Sequence, residues 1–382
     1  MKTYKNSQLK LEKLESRWLP SGIWQGVDVD GDLVSIKLRG PGELDVLTSE
    51  VDDGVQIDNI AVYDTTHRSN LIIKAKRSGG DGYVDVNEID ANTEVLNRIS
   101  VDGNLGYLTA GGLSRLDAFT SQSLDGGDAD WLIESDVRNV QLKGSLEFGQ
   151  LHITGDLNRA LIKGDIYNAS LLVDDTLRNL RVWGDVAEDA LVSALGEIRN
   201  VAIDGFLDFA TLESGDQITK MKVGLDVLDA EIFAGWDIRN LRVDGSVIGS
   251  SIESEAWIRK IDVWDMIETS EIFAGPEGIN TIFAYDISDT TLALAGNIRH
   301  IVLDVDTFVT HDHYDDYIIE DIFDWPVFEE IVIVEEFFGP DYVEEVYVAE
   351  VPYNGYYDDG SFFSLSFGDT DHGSGFSFYV NL

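Results

Sequence analysis

IRNLRVDGSVIGSSIESEAW, residues Ile238 to Trp257, carries apolar side chains at its positions 1, 4, 6, 10 and 15: Ile238, Leu241, Val243, Val247 and Ile252. The same unit recurs on both sides, opening at Val137, Leu157, Leu177, Ile198, Ile218, Ile238, Ile258, Ile279 and Ile298, a spacing of 19 to 21 residues. A small residue recurs near position 13 (Ala169, Ala210, Ala230, Ser250, Ser270), and position 8 is usually glycine (Gly144, Gly164, Gly184, Gly205, Gly245). Self-similarity at a fixed period of this length marks a stacked repeat.

The step from position 4 to position 6 puts two apolar residues on one face of an extended segment, because side chains alternate along a strand. Val, Ile and Leu fill these positions and favour pleated, half-buried surfaces. Gly at position 8, often followed by Asp or Ser, predicts a corner in which the chain takes a positive φ. Three short strands and three corners fit one unit, and units stack at the strand spacing of about 4.8 Å. The predicted fold is therefore all-β: a parallel β-solenoid (β-helix), right-handed by the general rule for crossovers. A leucine-rich repeat shares the I-x-x-L-x-V strand, but it needs Asn near position 9 and a leucine-rich helical return. Here position 9 is Ser, Asp or Phe in most coils and Asn in none, and the return is rich in Gly, Ala and Ser.

A second pattern lies where coils join. Asp136, Asp156, Glu197 and Asp237 precede the first apolar residue; Arg138, Arg178, Arg199, Arg239, Arg259 and Arg299 follow it, and Asn139, Asn179, Asn200 and Asn240 come next. Either acids and arginines neutralise one another across coils on a solvated corner, or the arginines form a ligand-binding row. Stacked Arg without the acids would repel, which favours the neutralised corner.

The chain has 382 residues, with 27 Lys and Arg against 71 Asp and Glu, and a formal net charge of -44. That length admits two or three domains and an ample core. The charge argues against nucleic acid and anionic membranes as partners and suits a cation-rich or extracellular setting. There is no cysteine, so disulfides and thiolate metal sites are excluded. No run of 18 apolar residues is present, so no transmembrane helix is expected.

Residues 1–23 form a basic, Leu-spaced amphipathic segment without the apolar core of a secretory signal peptide. Within it, LEKLESRWLPSG resembles the short N-terminal sorting motif carried by many surface and exported proteins of planctomycete bacteria. Leu11, Glu12, Leu14, Glu15, Arg17, Leu19, Pro20 and Ser21 carry the match, with Trp18 and Pro20 standing where many members have Leu. The resemblance implies an exported or cell-surface protein. VDVDGDLVSIKLRGPGELDVL, from Val27, is likewise similar to the strands that precede solenoids in such proteins.

Residues 24–95 read as a β-rich cap of irregular period, with strands around Ile57–Val62, Leu71–Ala75 and Val84–Ile89. The solenoid is assigned to 96–305, starting in shortened units (LNRISVDG, LGYLTAG, LSRLDAF) and interrupted by an insertion at Gly126-Gly127-Asp128. Residues 306–382 are a distinct acidic β segment: from Ile301 onward there are 20 Asp and Glu and no Lys or Arg. Ile331–Val334 and Val346–Val348 read as strands. Phe363–Phe367 and Phe376–Val380 read as a hairpin around a long Gly368–Gly375 loop, suited to covering the solenoid's open end.

Two stretches are candidate metal sites. Asp28-x-Asp30-Gly-Asp32 spaces carboxylates around a glycine turn, as Ca²⁺ prefers, although it lacks the later Gly and bidentate Glu of an EF-hand. The same residues also suit a bare turn. Thr310-His311-Asp312-His313-Tyr314-Asp315-Asp316 is similar to the metal-binding signature of metallo-β-lactamase-like hydrolases, matching at His311, His313 and Asp315. Asp316 replaces the final His, and too little chain follows to build that fold. A surface divalent-cation site without catalysis is the remaining use of these ligands.

Carbohydrate-active β-helices need a cleft walled by long loops, whereas coil lengths here vary by about one residue. No nucleophile elbow, P-loop or zincin motif occurs. The expected function is a non-enzymatic, secreted or cell-surface scaffold or adhesive, with divalent cations and surface polysaccharide or other surface proteins as partners. The alternative is a polysaccharide-binding or polysaccharide-degrading β-helix.

Overall fold

Alternation of apolar and polar residues leaves each coil with inward apolar residues on each of three sides, and no coil can bury them alone. In the computed structural model, residues 22–51, 54–121 and 129–303 are described. Five short strands follow, at Ile331–Ile333, Tyr347–Ala349, Phe363–Ser366, Gly368–Thr370 and Gly373–Gly375. The chain is the all-β parallel β-solenoid that its repeat predicts, with about 11 turns of roughly 20 residues. Among the described residues there is no helix, hence none long and apolar enough to cross a membrane.

Each coil of the regular array contributes to three parallel sheets. The first sheet takes positions 1 to 6 (Leu177–Val182, Ile198–Ile203, Ile218–Val223). The second takes two-residue strands (Val186–Ala187, Leu207–Asp208, Val227–Leu228). The third takes four-residue strands (Leu191–Ala194, Thr211–Ser214, Glu231–Ala234).

Inside, equivalent residues stack in register. Position 4 forms one row, Leu180, Val201, Met221, Leu241, Ile261, Ile282 and Ile301. It extends backwards through Ala160, Val140, Leu116 and Ile99 to Leu71 in the cap. Position 15 forms another, from Leu171 through Val192, Leu212, Ile232, Ile252 and Ile272 to Leu292. All these side chains are buried. At about 1.5–3 kcal/mol for each fully buried aliphatic side chain, the rows are the main stabilising element.

The corners differ from expectation in their mechanism. Gly144, Gly164, Gly184, Gly205 and Gly245 do not have positive φ. At Gly144 the contact is merely tight, but at Gly164, Gly184, Gly205 and Gly245 the coil beneath comes too close for a Cβ, which at Gly184 would strike the Asp165 carboxylate and at Gly205 that of Asp185. Those carboxylates reach across the coil boundary. Asp165 Oδ1 accepts the Asp185 N–H at 2.8 Å, and Asp185 Oδ1 accepts the Phe206 N–H at 2.8 Å. The left-handed residues lie about four positions later, at the second-to-third sheet corner: Phe148, Asn168, Glu188 and Asp189, Phe209, Asp229, Gly249, Thr269 and Asp289. The small residue that follows points inward, and where it is Ser it serves the backbone. Ser250 Oγ accepts the Ala230 N–H at 3.1 Å, and Ser270 Oγ donates to the Glu268 carbonyl at 2.8 Å.

Two of the acid and Arg pairs at the coil junctions meet directly. Arg178 Nη2 lies 2.8 Å from Asp156 Oδ2, and Arg199 Nε lies 2.8 Å from Glu197 Oε2. Burial works against ionisation of Glu197, but hydrogen bonds from Thr219 and Arg199 outweigh it and hold the carboxyl below its usual range. Asp237 is pushed up instead, by burial and then by Glu277, with Arg239 opposing from 3.9 Å.

At the N-terminal end, Ile23–Val27, Leu33–Arg39 and Asn70–Lys76 form an antiparallel ribbon, and Glu43–Val51 pairs antiparallel with Gly54–Tyr63. Gly54–Tyr63 and Asn70–Lys76 both lie parallel on Val86–Val101, a 16-residue strand that wraps the first full coil. Parallel pairing therefore begins upstream of Leu96. At the other end, Phe363–Ser366 adds antiparallel to Thr291–Leu294 on the third sheet. Ile331–Ile333 pairs with Tyr347–Ala349, and Gly368–Thr370 pairs with Gly373–Gly375 inside the stretch expected to be a loop. The sorting-motif residues, the Gly126–Asp128 insertion and Phe376–Val380 lie outside the described residues.

Candidate functional sites

Asp28, Asp30 and Asp32 come together at the turn between the first two strands of the cap. One carboxylate oxygen from each lies within 4.8 Å of the others. The turn closes on itself: the Asp32 N–H donates to Asp28 Oδ1 at 2.7 Å, and the Asp28 N–H donates to the Asp32 carbonyl at 3.0 Å. The three acids nevertheless have different roles. Asp32 is fully buried and accepts backbone N–H groups from one loop nearly fifty residues away. Its Oδ1 takes Ser78 at 2.6 Å, Gly79 at 3.1 Å and Gly80 at 2.9 Å; its Oδ2 takes Gly82 at 2.5 Å. Successive N–H groups of a Gly-rich loop form an anion-binding nest, and Asp32 is the anion. The Ser78 N–H, with those of Gly80, Gly79 and Gly82, holds its carboxyl down at about 2 against the effect of burial.

Asp28 is pushed up to about 6, by burial first, then by the proton it shares with Asp30 and the charges of Asp30 and Asp32. Asp30 is exposed and is held low by that hydrogen bond and by the Asp81 N–H, which it accepts at 2.9 Å. The chemistry left for a cation is the Asp28–Asp30 pair and one lone pair of Asp32. His311, His313 and Asp315 lie outside the described residues.

A second site contains one member of the Arg row read from the sequence, Arg138, but lies mostly on residues that the row did not include. Between residues 96 and 303 every Lys and Arg falls at coil position 2, 3, 5 or 7, on the first sheet or its edges. From Val137 to Leu303, positions 1 to 7 carry fourteen bases and three acids, and positions 8 to 20 carry twenty-four acids and no base. Arranging the residues by coil position, rather than counting net charge, would have exposed the segregation.

The bases are densest where cap and solenoid meet. Arg39, Lys74, Arg98, Arg115 and Lys143 line a cavity of about 390 Å³ on the first sheet. Its two carboxylates are both engaged. Asp117 takes Arg98 Nε at 2.7 Å and Arg115 Nε at 2.9 Å, and Asp102 takes Lys143 Nζ at 3.0 Å. Arg39 and Lys74 have no carboxylate partner among the described residues. An adjoining cavity of about 360 Å³ shares Arg115 and adds Arg138, Arg159, Asn97, Asn139 and Asn158.

Compared with known protein families, curated proteins and solved structures, the chain matches none. Fold and charge layout together define a parallel β-solenoid with one base-bearing side and two acidic sides.

Proposed function

We propose that the chain is a non-enzymatic scaffold or adhesive element of a cell surface or secreted layer. The observation that carries this is the unbroken inward row from Leu71 to Ile301, built by coils of nearly constant length. Side chains interlocked along about 11 turns make a stiff rod of about 50 Å at the strand spacing. Functional variety in such a rod lies on its outer faces, where surface polysaccharide or a second surface protein would be engaged. Export is supported by the resemblance of Leu11 to Ser21 to a sorting motif, and by a net charge that suits a cation-rich medium. Divalent cations belong to the same proposal, with Ca²⁺ at Asp28 and Asp30 as the described candidate.

Protease treatment of intact cells producing the protein tests the location, and small-angle scattering of the full chain tests the shape. Loss of the protein without lysis and an elongated scattering profile are expected. Protection until lysis, or a compact profile, would rule the proposal out.

A further inference from the structure

The basic groove is out of character for a chain of net charge -44, and the fold does not require it. Parallel stacking places equivalent side chains about 4.8 Å apart, so gathering the bases on one side sets like charges beside each other. Mixing them with the many acids would remove that repulsion. Salt bridges within the sheet offset part of it: Lys222 and Arg242 hold Asp244, at 2.6 Å each, below its usual range despite burial. Arg39 and Lys74 have no such offset among the described residues.

We propose that the groove from Arg39 to Arg159 binds an acidic polysaccharide, a sugar chain bearing carboxylate or sulfate groups. This rests on the rod being an adhesive element and names the face and the ligand class. Four features of the groove point to that ligand. Its cationic lining offers N–H donors in quantity, and the guanidinium fork can place two N–H groups on two oxygens of one carboxylate or sulfate. Its bases come from successive rungs of one sheet, so they form a line suited to a linear polymer. Asn97, Asn139 and Asn158 add neutral hydrogen-bonding groups of the kind sugar hydroxyls need. Further along the same edge, Lys163 Nζ sits 5.1 Å from the ring centre of half-exposed Trp183, which gives a sugar an apolar face to lie on.

The chain's overall negative charge does not prevent this. At 0.15 M salt the Debye length is about 8 Å, so a ligand in contact with the bases is largely screened from acids across the core. The acidic sides of a second copy are the other complement that the molecule offers. They are the faces of sheets, however, and paired cavities of about 390 and 360 Å³ admit a single sugar chain rather than a flat face.

The test uses the full chain, with polygalacturonate and heparin as probes and neutral dextran as reference, at 50 and 150 mM NaCl. Both polyanions, or either one, are expected to bind, more weakly at the higher salt, and dextran is not. The double variant Arg39→Gln/Lys74→Gln should weaken binding about tenfold or more, as the loss of two charge-assisted contacts implies. Lys220→Gln, the same kind of change three coils beyond Arg159 and outside the groove, should change it less than about twofold. Arg39 and Lys74 have no carboxylate partner among the described residues, so an unchanged melting temperature will confirm that the variants fold. Three outcomes overturn the proposal: no binding of either polyanion at 50 mM NaCl, equal weakening by Lys220→Gln, or self-association that the double variant abolishes while neither polyanion binds. The last would assign the groove to a second copy. A surface rod that ignores both polyanions would still be a surface rod, so the two proposals fail separately.

Discussion

In the array from Val137 to Leu303, a residue's role follows from its place in a coil; in the cap, it follows from a partner far along the chain. Leu241 is buried because Met221 lies below it and Ile261 above it, each one coil away. Asp32 is buried because Ser78 to Gly82 fold over it. The array repeats one local solution and can lengthen by whole coils. The cap closes its end with contacts that occur once, and those contacts bring charged groups out of water.

If one coil were dispensable, a charge placed in its core row would be tolerated. Val243 sits at position 6, paired with Val223 below and Val263 above, and is buried. Val243→Asp would place a carboxylate in that row with no cation in reach, at a cost of several kcal/mol. Urea unfolding should show this as a large loss of stability or as loss of soluble protein, whereas Val243→Ile should be mild. A cost below about 1 kcal/mol would mean that the row is not continuous there.

The next effect is smaller and concerns the corners. Gly184→Ala adds a methyl group that meets the Asp165 carboxylate and the Gly164 carbonyl, and Asp165 already holds the Asp185 N–H. Something must shift, and overpacking together with a strained hydrogen bond costs about 1–3 kcal/mol. A neutral result would return the glycine to a merely flexible role.

Smaller again, and opposite in sign, is the change at Thr269. This β-branched residue has φ near 47°, in the left-handed region, at a corner where neighbouring coils place Gly249 and Asp289. Left-handed backbone costs a non-glycine residue about 1–2 kcal/mol, and β-branched residues adopt it least readily. Thr269→Gly should therefore raise stability by about 1 kcal/mol, seen as a higher urea midpoint at unchanged slope. Destabilisation would show that the Thr side chain contributes more than its backbone strain costs.

These cases show why the array was legible in sequence and the cap much less so. The five-residue row Leu180, Val201, Met221, Leu241 and Ile261 followed from the period, because stacking enforces the same solution in every coil. The glycines at position 8 were visible, but their cause was misjudged: a close approach between coils leaves no mark on a single unit. Asp28, Asp30 and Asp32 stood together in sequence, yet no local pattern says that Asp32 caps the amides of residues 78–82. The Arg row at the coil junctions is visible in sequence, and its acids favour mutual neutralisation over the ligand-binding alternative. The basic groove needed the cap's Arg39 and Lys74 folded onto the same sheet as Arg98, Arg115 and Lys143.

The smallest expected effect probes the cap through pH. Asp28, at about 6, stands above its ordinary 3.8, so it adds stability that is fully present below about 3.8 and is lost as pH rises through 6. Asp32, at about 2, adds stability that is present above 3.8 and is lost as pH falls through 2. Between pH 4 and 6, Asp32 is therefore constant, and Asp28 makes the cap less stable as pH rises. Asp85, pushed up by burial and then by Asp81 and Asp30, adds to the slope with the same sign. The informative comparison is thus between the native chain and Asp28→Asn. Amide exchange at Ser78, Gly79, Gly80 and Gly82, corrected for intrinsic rates, should lose protection from pH 4 to 6, and more steeply in the native chain than in the variant. A bound Ca²⁺ would take the place of the proton shared by Asp28 and Asp30. Millimolar CaCl₂ should then flatten the native slope, while NaCl at the same ionic strength should not. Equal responses to the two salts would leave only screening and would remove Ca²⁺ from this turn. Equal slopes in the native chain and the variant would mean that Asp28 does not carry the proton.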